Sequence, residues 1–236
     1  MIEHEAPQNS PEWRAARLGL PTASRAASLV TPRSHAPSKG VLAYADRLAL
    51  ELYRGHPSEE FGGSRATAHG HRFEPNARAA YAWLADVDVR LAGFCTDDRG
   101  RYGASPDGLV GRDGGLETKC PEDAEYIRVL MHVEEHGVAP PEYLPQLHML
   151  MLVTERLWWD LTFWHPDMPD EPVIVRVRRE RAWDARLLRQ IAVCRRRRDR
   201  VLATLRARAA RFGDVPRPDD LPGADGPDPG DESMAA

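Results

Sequence analysis

The stretch from Gly103 to Pro121, GASPDGLVGRDGGLETKCP, constrains this chain more than any other. Leu109 and Val110 lead into a Gly-rich turn (Gly111, Asp113, Gly114, Gly115), and Leu116 leads out of it, the pattern of a β-hairpin. Alternate side chains of a strand share a face. Glu117 and Lys119 are therefore expected on one side, Leu116 and Thr118 on the other. A hairpin folds its first strand back along its second, so Asp107 meets Glu117 and Lys119 at one end of the pair. Two carboxylates there offer hard oxygen ligands for Mg²⁺ or Mn²⁺. A lysine beside them suits orienting a water or steadying charge that grows on a phosphate. Charged residues on a solvated hairpin are the commoner meaning of so short a pattern, and the rest of the chain has to decide.

A chain of 236 residues has ample length for one domain with a substantial core. Its three cysteines, Cys95, Cys120 and Cys194, are far apart and form no CxxC pair, which argues against a zinc or iron–sulfur centre and for reduced thiols in a cytoplasmic protein. The N-terminus lacks a charged-then-apolar leader pattern, and no apolar run is long enough for a membrane span. Charge is polarised along the chain: net −9 over residues 1–175, net +11 over 176–211, and net −6 from 213 to the end. An acidic body beside a basic segment permits a nucleic-acid partner without requiring one.

Ser10-Pro11 is a helix start that carries Trp13 and Arg17 on one face as far as Gly19. Pro21-Thr22 is expected to open a second helix to Val30, with Ser24 in its first turn, where backbone N–H groups favour an anion. Arg17 and Ser24 then suggest a phosphate pocket between two helices; a surface arginine and a spare serine are the plainer reading. Helices are expected over 40–53 and 64–85, the latter kinked or broken at Pro75 next to Glu74. A strand follows over 87–96, then the hairpin, helices over 122–135 and 142–153, strands over 158–164 and 173–177, and a long helix over 182–212. The arginine run 195–198 reads as a phosphate-backbone contact, a solvated face, or partners for acids on the body or a neighbouring subunit. The Pro-, Gly- and Asp-rich segment 213–236 reads as a disordered tail. The order implies an α/β fold with a small mixed sheet, in a single domain over 1–212.

Five blocks in order, EWRAARLGLPTAS, GHRFEPNARAAY, SPDGLV with LETKCP, YLPQLHMLMLVT and WWDLTFWHPDMP, resemble the lambda-phage exonuclease and YqaJ-like viral recombinase family, within the PD-(D/E)xK nucleases. That resemblance implies a restriction-endonuclease-like core and a 5′-to-3′ exonuclease on linear double-stranded DNA. It implies hydrolysis assisted by two Mg²⁺ ions, with Mn²⁺ as a substitute. By motif, Asp107 is implied as ligand to both ions, Glu117 with the carbonyl of Thr118 as completing one site, and Glu74 as holding the other. Lys119 is implied as the catalytic lysine, Gln146 as the motif glutamine, and Arg17, Ser24 and Ser105 as the pocket for the 5′-phosphate. A single-strand annealing protein and a ring of three subunits are further implications. Three positions depart from the pattern. His148 stands where a second glutamine is usual and is expected to hydrogen-bond the same water or phosphate. Thr118 replaces an aliphatic residue and is expected to face away from the site. The acidic tail has no counterpart. The same residues also serve a structure-specific endonuclease, and a non-catalytic DNA-binding recombination subunit is the remaining alternative.

Overall fold

The computed structural model describes residues 1–58, 65–168 and 172–212, with backbone alone at 65–68, 71 and 212. It divides into two compact units at Leu202. The described part of the second, residues 203–212, is helical, and the segment read as an acidic tail lies outside the described residues.

The first unit holds two sheets. A three-stranded antiparallel sheet has the order β1 (Ile2–His4), β3 (Phe94–Thr96), β4 (Gly103–Ala104). A five-stranded mixed sheet has the order β2 (Val89–Arg90), β5 (Gly108–Val110), β6 (Gly114–Lys119), β7 (Trp158–Phe163), β8 (Val173–Arg178). The strand expected over 87–96 is thus two strands in different sheets. The break falls at Gly93, where an added Cβ would lie 1.8 Å from the carbonyl oxygen of His4. That close approach lets β1, a strand with no clear sequence signal, pair with β3.

The hairpin forms as the Gly-rich turn predicts, with Gly108 opposite Leu116 and Val110 opposite Gly114. Its second strand, β6, is the middle strand of the large sheet and pairs in parallel with β7. A Cβ at Gly114 would meet the ring of Trp158 at 1.9 Å, so the two turn-side glycines of β6 serve tryptophan packing as well as the turn.

Helix α1 (Pro11–Arg17) starts as expected, with the Ser10 hydroxyl accepting from the Trp13 N–H. The helix expected over 22–30 is instead a short 3-10 helix, Ala23–Ser28, and Thr22 makes no side-chain cap. Helix α2 (Val41–Arg54) ends at Gly55 in the left-handed conformation. Helix α3 (Arg65–Ala85) runs through Pro75, so of the kink or break expected there no break occurs. Helix α4 (Asp123–His136) ends at left-handed Gly137, and a single 3-10 turn, Pro141–Tyr143, leads into α5 (Leu144–Thr154).

Helix α5 is apolar nearly all round, and every residue from Leu147 to Thr154 is buried. It packs on the 3-10 helix 23–28 and reaches both sheets through β3, β4 and β7. The core therefore gathers around α5, and Gln146 at its first turn is carried to the mouth of that core. Helix α6 (Arg181–Phe212) buries Trp183, Leu187, Ile191 and Cys194. Of the arginine run, Arg197 pairs with Asp46 at 2.6 Å, and buried Arg198 donates to the Gly19 carbonyl at 2.7 Å. Both contacts hold the helix to the body, and Arg197 alone follows the reading of partners for acids there. No helix among the described residues is long and apolar enough to cross a membrane.

Candidate nuclease site

Asp107 precedes β5 and Glu117 lies near the end of β6, so the hairpin register sets them side by side. Lys119, two residues along β6, shares the Glu117 face, and its Nζ is 2.6 Å from Glu117 Oε1. The Gln146 side-chain amide donates to the same oxygen at 2.5 Å. Thr118 corrects its expectation. Both its backbone N–H, at 2.7 Å, and its hydroxyl, at 3.0 Å, donate to Asp107 Oδ2. Thr118 thus takes part in the site and lines the same cleft as Asp107, Glu117 and Lys119.

Glu74 comes from α3. Arg78, one turn further along that helix, donates from Nη2 to Glu74 Oε1 at 2.6 Å and from Nε to the Asp107 carbonyl oxygen at 2.9 Å. Arg78 has no place among the residues expected at the site. Its signal was the four-residue spacing from Glu74 on one helix face.

The second group comes from the N-terminal elements. Trp13 Nε1 donates to Ser105 Oγ at 3.0 Å, which ties α1 to the turn before Asp107. The Arg17 guanidinium lies 4.2 Å from the Trp13 ring centroid and 3.5 Å from Ser24 Oγ. Thr22 Oγ1 is 3.3 Å from Ser24 Oγ, a pairing that orients the serine hydroxyl. Burial pushes Arg17 down to about 10, still protonated at neutral pH, so the pocket keeps a positive charge.

Both groups line one cleft of about 630 Å³, with Asp107, Glu117, Thr118, Lys119, Glu74 and Gln146 on one side and Trp13, Arg17, Ser24 and Ser105 on the other. His148 does not join them. It is buried and its ring stacks on Trp183, centroids 4.7 Å apart. Two residues on a helix differ by about 200°, so His148 and Gln146 leave α5 on opposite sides. Cys120 also lines the cleft, but burial pushes its thiol up to about 12, far from a nucleophilic thiolate.

The electrostatics of the carboxylates are strained. Glu117 is buried. Burial first, and then the charge of Asp107, push its carboxyl up to about 8, against the pull of Lys119. Burial works against the Lys119 ammonium too, but the charges of Glu117 and Asp107 outweigh it and hold the lysine above its ordinary range. One oxygen, Glu117 Oε2, is buried with no hydrogen-bond partner. Among the described residues no three His, Cys, Asp or Glu side chains form a ready-made metal cage. Each carboxylate instead accepts from a donor of the chain: Glu74 from Arg78, Asp107 from Thr118, Glu117 from Lys119 and Gln146. Crowded carboxylates with an orphaned buried oxygen fit a hard divalent cation, whose remaining positions waters and substrate phosphate oxygens commonly fill.

The profile of the YqaJ-like viral recombinase domain family matches residues 12–157. The chain belongs to that family. The match takes in the cleft's residues on both sides, from Trp13 to Gln146. Among solved structures, the alkaline exonuclease LHK-Exo from Laribacter hongkongensis superimposes with a TM-score of 0.75 at 29% identity, covering 86% of this chain and 100% of the other. The same enzyme in complex with dAMP matches equally. A phage-related exonuclease from Haemophilus somnus 129PT shares the fold, with a TM-score of 0.63 at 11% identity over 79% of this chain and 96% of that one. No curated protein matches the sequence. The mixed α/β core is thus the PD-(D/E)xK-like fold of this YqaJ family, and the hairpin lies at its centre.

Proposed function

We propose that this protein is a divalent-metal-dependent 5′-to-3′ exonuclease on linear double-stranded DNA, leaving 3′ single-stranded DNA for phage-type recombination. One observation carries the reading: a single cleft holds both the carboxylate–lysine group and an arginine–serine pair suited to a terminal phosphate. Kinship with the YqaJ family and likeness to LHK-Exo support the nuclease chemistry.

In this reading Asp107, Glu117 with the Thr118 carbonyl, and Glu74 hold two Mg²⁺ ions, or Mn²⁺ in their place. Bound metal supplies an acidified water and a counter-charge for the phosphate oxygens. Lys119 orients that water and adds positive charge beside the scissile phosphate. Gln146 fixes Glu117 by its 2.5 Å hydrogen bond and so keeps the carboxylate in register with Lys119. Arg17 grips the 5′-phosphate by charge-assisted hydrogen bonds, with Ser24 and Ser105 completing the pocket. A pocket for a terminal phosphate beside the cutting group would confine cleavage to 5′ ends. The ring of three subunits and the annealing partner belong to the same proposal, and light scattering of the purified protein tests the ring.

The test uses linear duplex labelled at its 3′ ends, with and without a 5′-phosphate, beside a covalently closed circle, in Mg²⁺ or EDTA. Metal-dependent release of nucleotides from phosphorylated 5′ ends, with the circle intact, is expected. Cutting of the circle would replace this reading with the endonuclease one. Binding of DNA with no cutting in any metal would replace it with a non-catalytic recombination subunit.

A further inference from the structure

Glu74 stands on the wall between two clefts. One is the candidate site. The other, about 590 Å³, is lined by Glu3, Glu5, Arg78, Arg90 and Leu91 and shares Glu74, Gln8 and Asn9 with the first. A carboxylate in that position has open space on two sides, and a glutamate has three side-chain torsions with which to choose between them. Something must choose for it if it is to act with Asp107 and Glu117.

Arg78 is the group in place to do so. It reaches Glu74 through Nη2 and the backbone of Asp107 through Nε, at 2.6 and 2.9 Å. The guanidinium is planar, and its donors keep a fixed spacing. One rigid fork thus joins two limbs of the site separated by 29 to 33 residues of chain. The side chains of Arg78 and Glu74 are 19% and 21% exposed, so this is a largely shielded ion pair, unlike a solvated surface one. Arg78 lines the second cleft only. It therefore holds Glu74 from behind, leaving the carboxylate's other side toward the candidate site.

We propose that Arg78 is a positioning residue that clamps Glu74 to the Asp107 backbone and thereby sets the protein's affinity for a divalent cation. The proposal rests on the metal-dependent reading above. Groups that orient metal-binding carboxylates typically change affinity 10- to 100-fold when removed.

The test is direct Mn²⁺ binding by calorimetry on the full chain, without DNA, for wild type, Arg78→Ala, Arg78→Lys, Glu74→Gln and the double variant Glu74→Gln/Arg78→Ala. Thermal melts confirm that each is folded. Arg78→Ala is expected to weaken Mn²⁺ about 10- to 100-fold. Arg78→Lys should recover only part of that, because an ammonium cannot reproduce the fork. The double variant should bind no worse than Glu74→Gln alone, since the clamp acts only through Glu74. Unchanged Mn²⁺ affinity in folded Arg78→Ala or Arg78→Lys, or additive losses in the double variant, would overturn the clamp. Absence of Mn²⁺ binding by the wild type would overturn the metal-dependent reading itself, before any variant is compared.

Discussion

The hydroxyl of Thr118 donates to Asp107 Oδ2 at 3.0 Å, beside the 2.7 Å bond from its own backbone N–H. One residue thus holds one carboxylate oxygen twice. Thr118→Val keeps the branched shape and the backbone bond but removes the hydroxyl. It is expected to destabilise the protein by about 1 kcal/mol and to slow cleavage several-fold. Thr118→Ser, which keeps the donor, is expected to stay near wild type. Urea midpoints and single-turnover rates on linear duplex check both; equal rates in Thr118→Val would show that Asp107 needs no second donor.

Lys119 and Glu117 form an ion pair in which the neighbouring carboxylates outweigh the burial of the lysine, while the lysine only partly offsets the burial of the glutamate. Lys119→Met is expected to abolish cleavage and to cost about 2 kcal/mol of stability, because the buried Glu117 carboxyl loses its ammonium donor. Adding Glu117→Gln to it replaces the acid left without its ammonium donor by a neutral amide and is expected to recover most of the stability and none of the activity. Denaturation midpoints of the single and double variants, read beside nuclease assays, make the comparison. A double variant as unstable as Lys119→Met would mean that the loss comes from packing.

Arg17 stacks on Trp13 and lies 3.5 Å from Ser24 Oγ. Arg17→Ala is expected to cut the rate on 5′-phosphorylated ends by about 10- to 100-fold, the worth of a lost charge-assisted bond. The rate on 5′-hydroxyl ends should change little. Parallel rates on the two substrates decide the matter, and equal losses on both would remove the phosphate pocket from the mechanism.

His148 provides a pH dependence remote from the cleft. Burial, then the charges of His35 and Arg186, push its ring down to about 4, from an ordinary 6.5. The folded protein therefore holds it neutral while the unfolded chain protonates it. Its contribution to stability is complete above the unfolded value of 6.5 and is lost as pH falls toward 4. The loss amounts to at most about 3.5 kcal/mol at roughly 1.4 kcal/mol per pH unit. His148→Leu is expected to flatten the stability profile between about pH 7 and about pH 4.5. Wild-type and variant urea midpoints falling in parallel over that range would assign the acid lability elsewhere.

The hairpin, the pairing of Glu117 with Lys119, and the start of α1 were legible in the sequence because each rests on local rules. A Gly-rich turn sets a register, a strand alternates, and a serine before proline caps a helix. The five motif blocks carried the family. What they could not carry was reach between elements. Alternation alone was expected to turn Thr118 away from the site and was silent on its two hydrogen bonds to Asp107. Helical spacing linked Arg78 to Glu74, but only the packing of α3 against the hairpin brought its Nε to Asp107. The break at Gly93 and the pairing of β1 arose from a single close backbone approach. His148 was separable from Gln146 by helical geometry alone, yet a motif position outweighed it until α5 proved to be buried on every side beyond its first turn. Local conformation follows from neighbours in the chain. Which side chains share a cleft follows from how whole elements pack, and only the tertiary structure decided that.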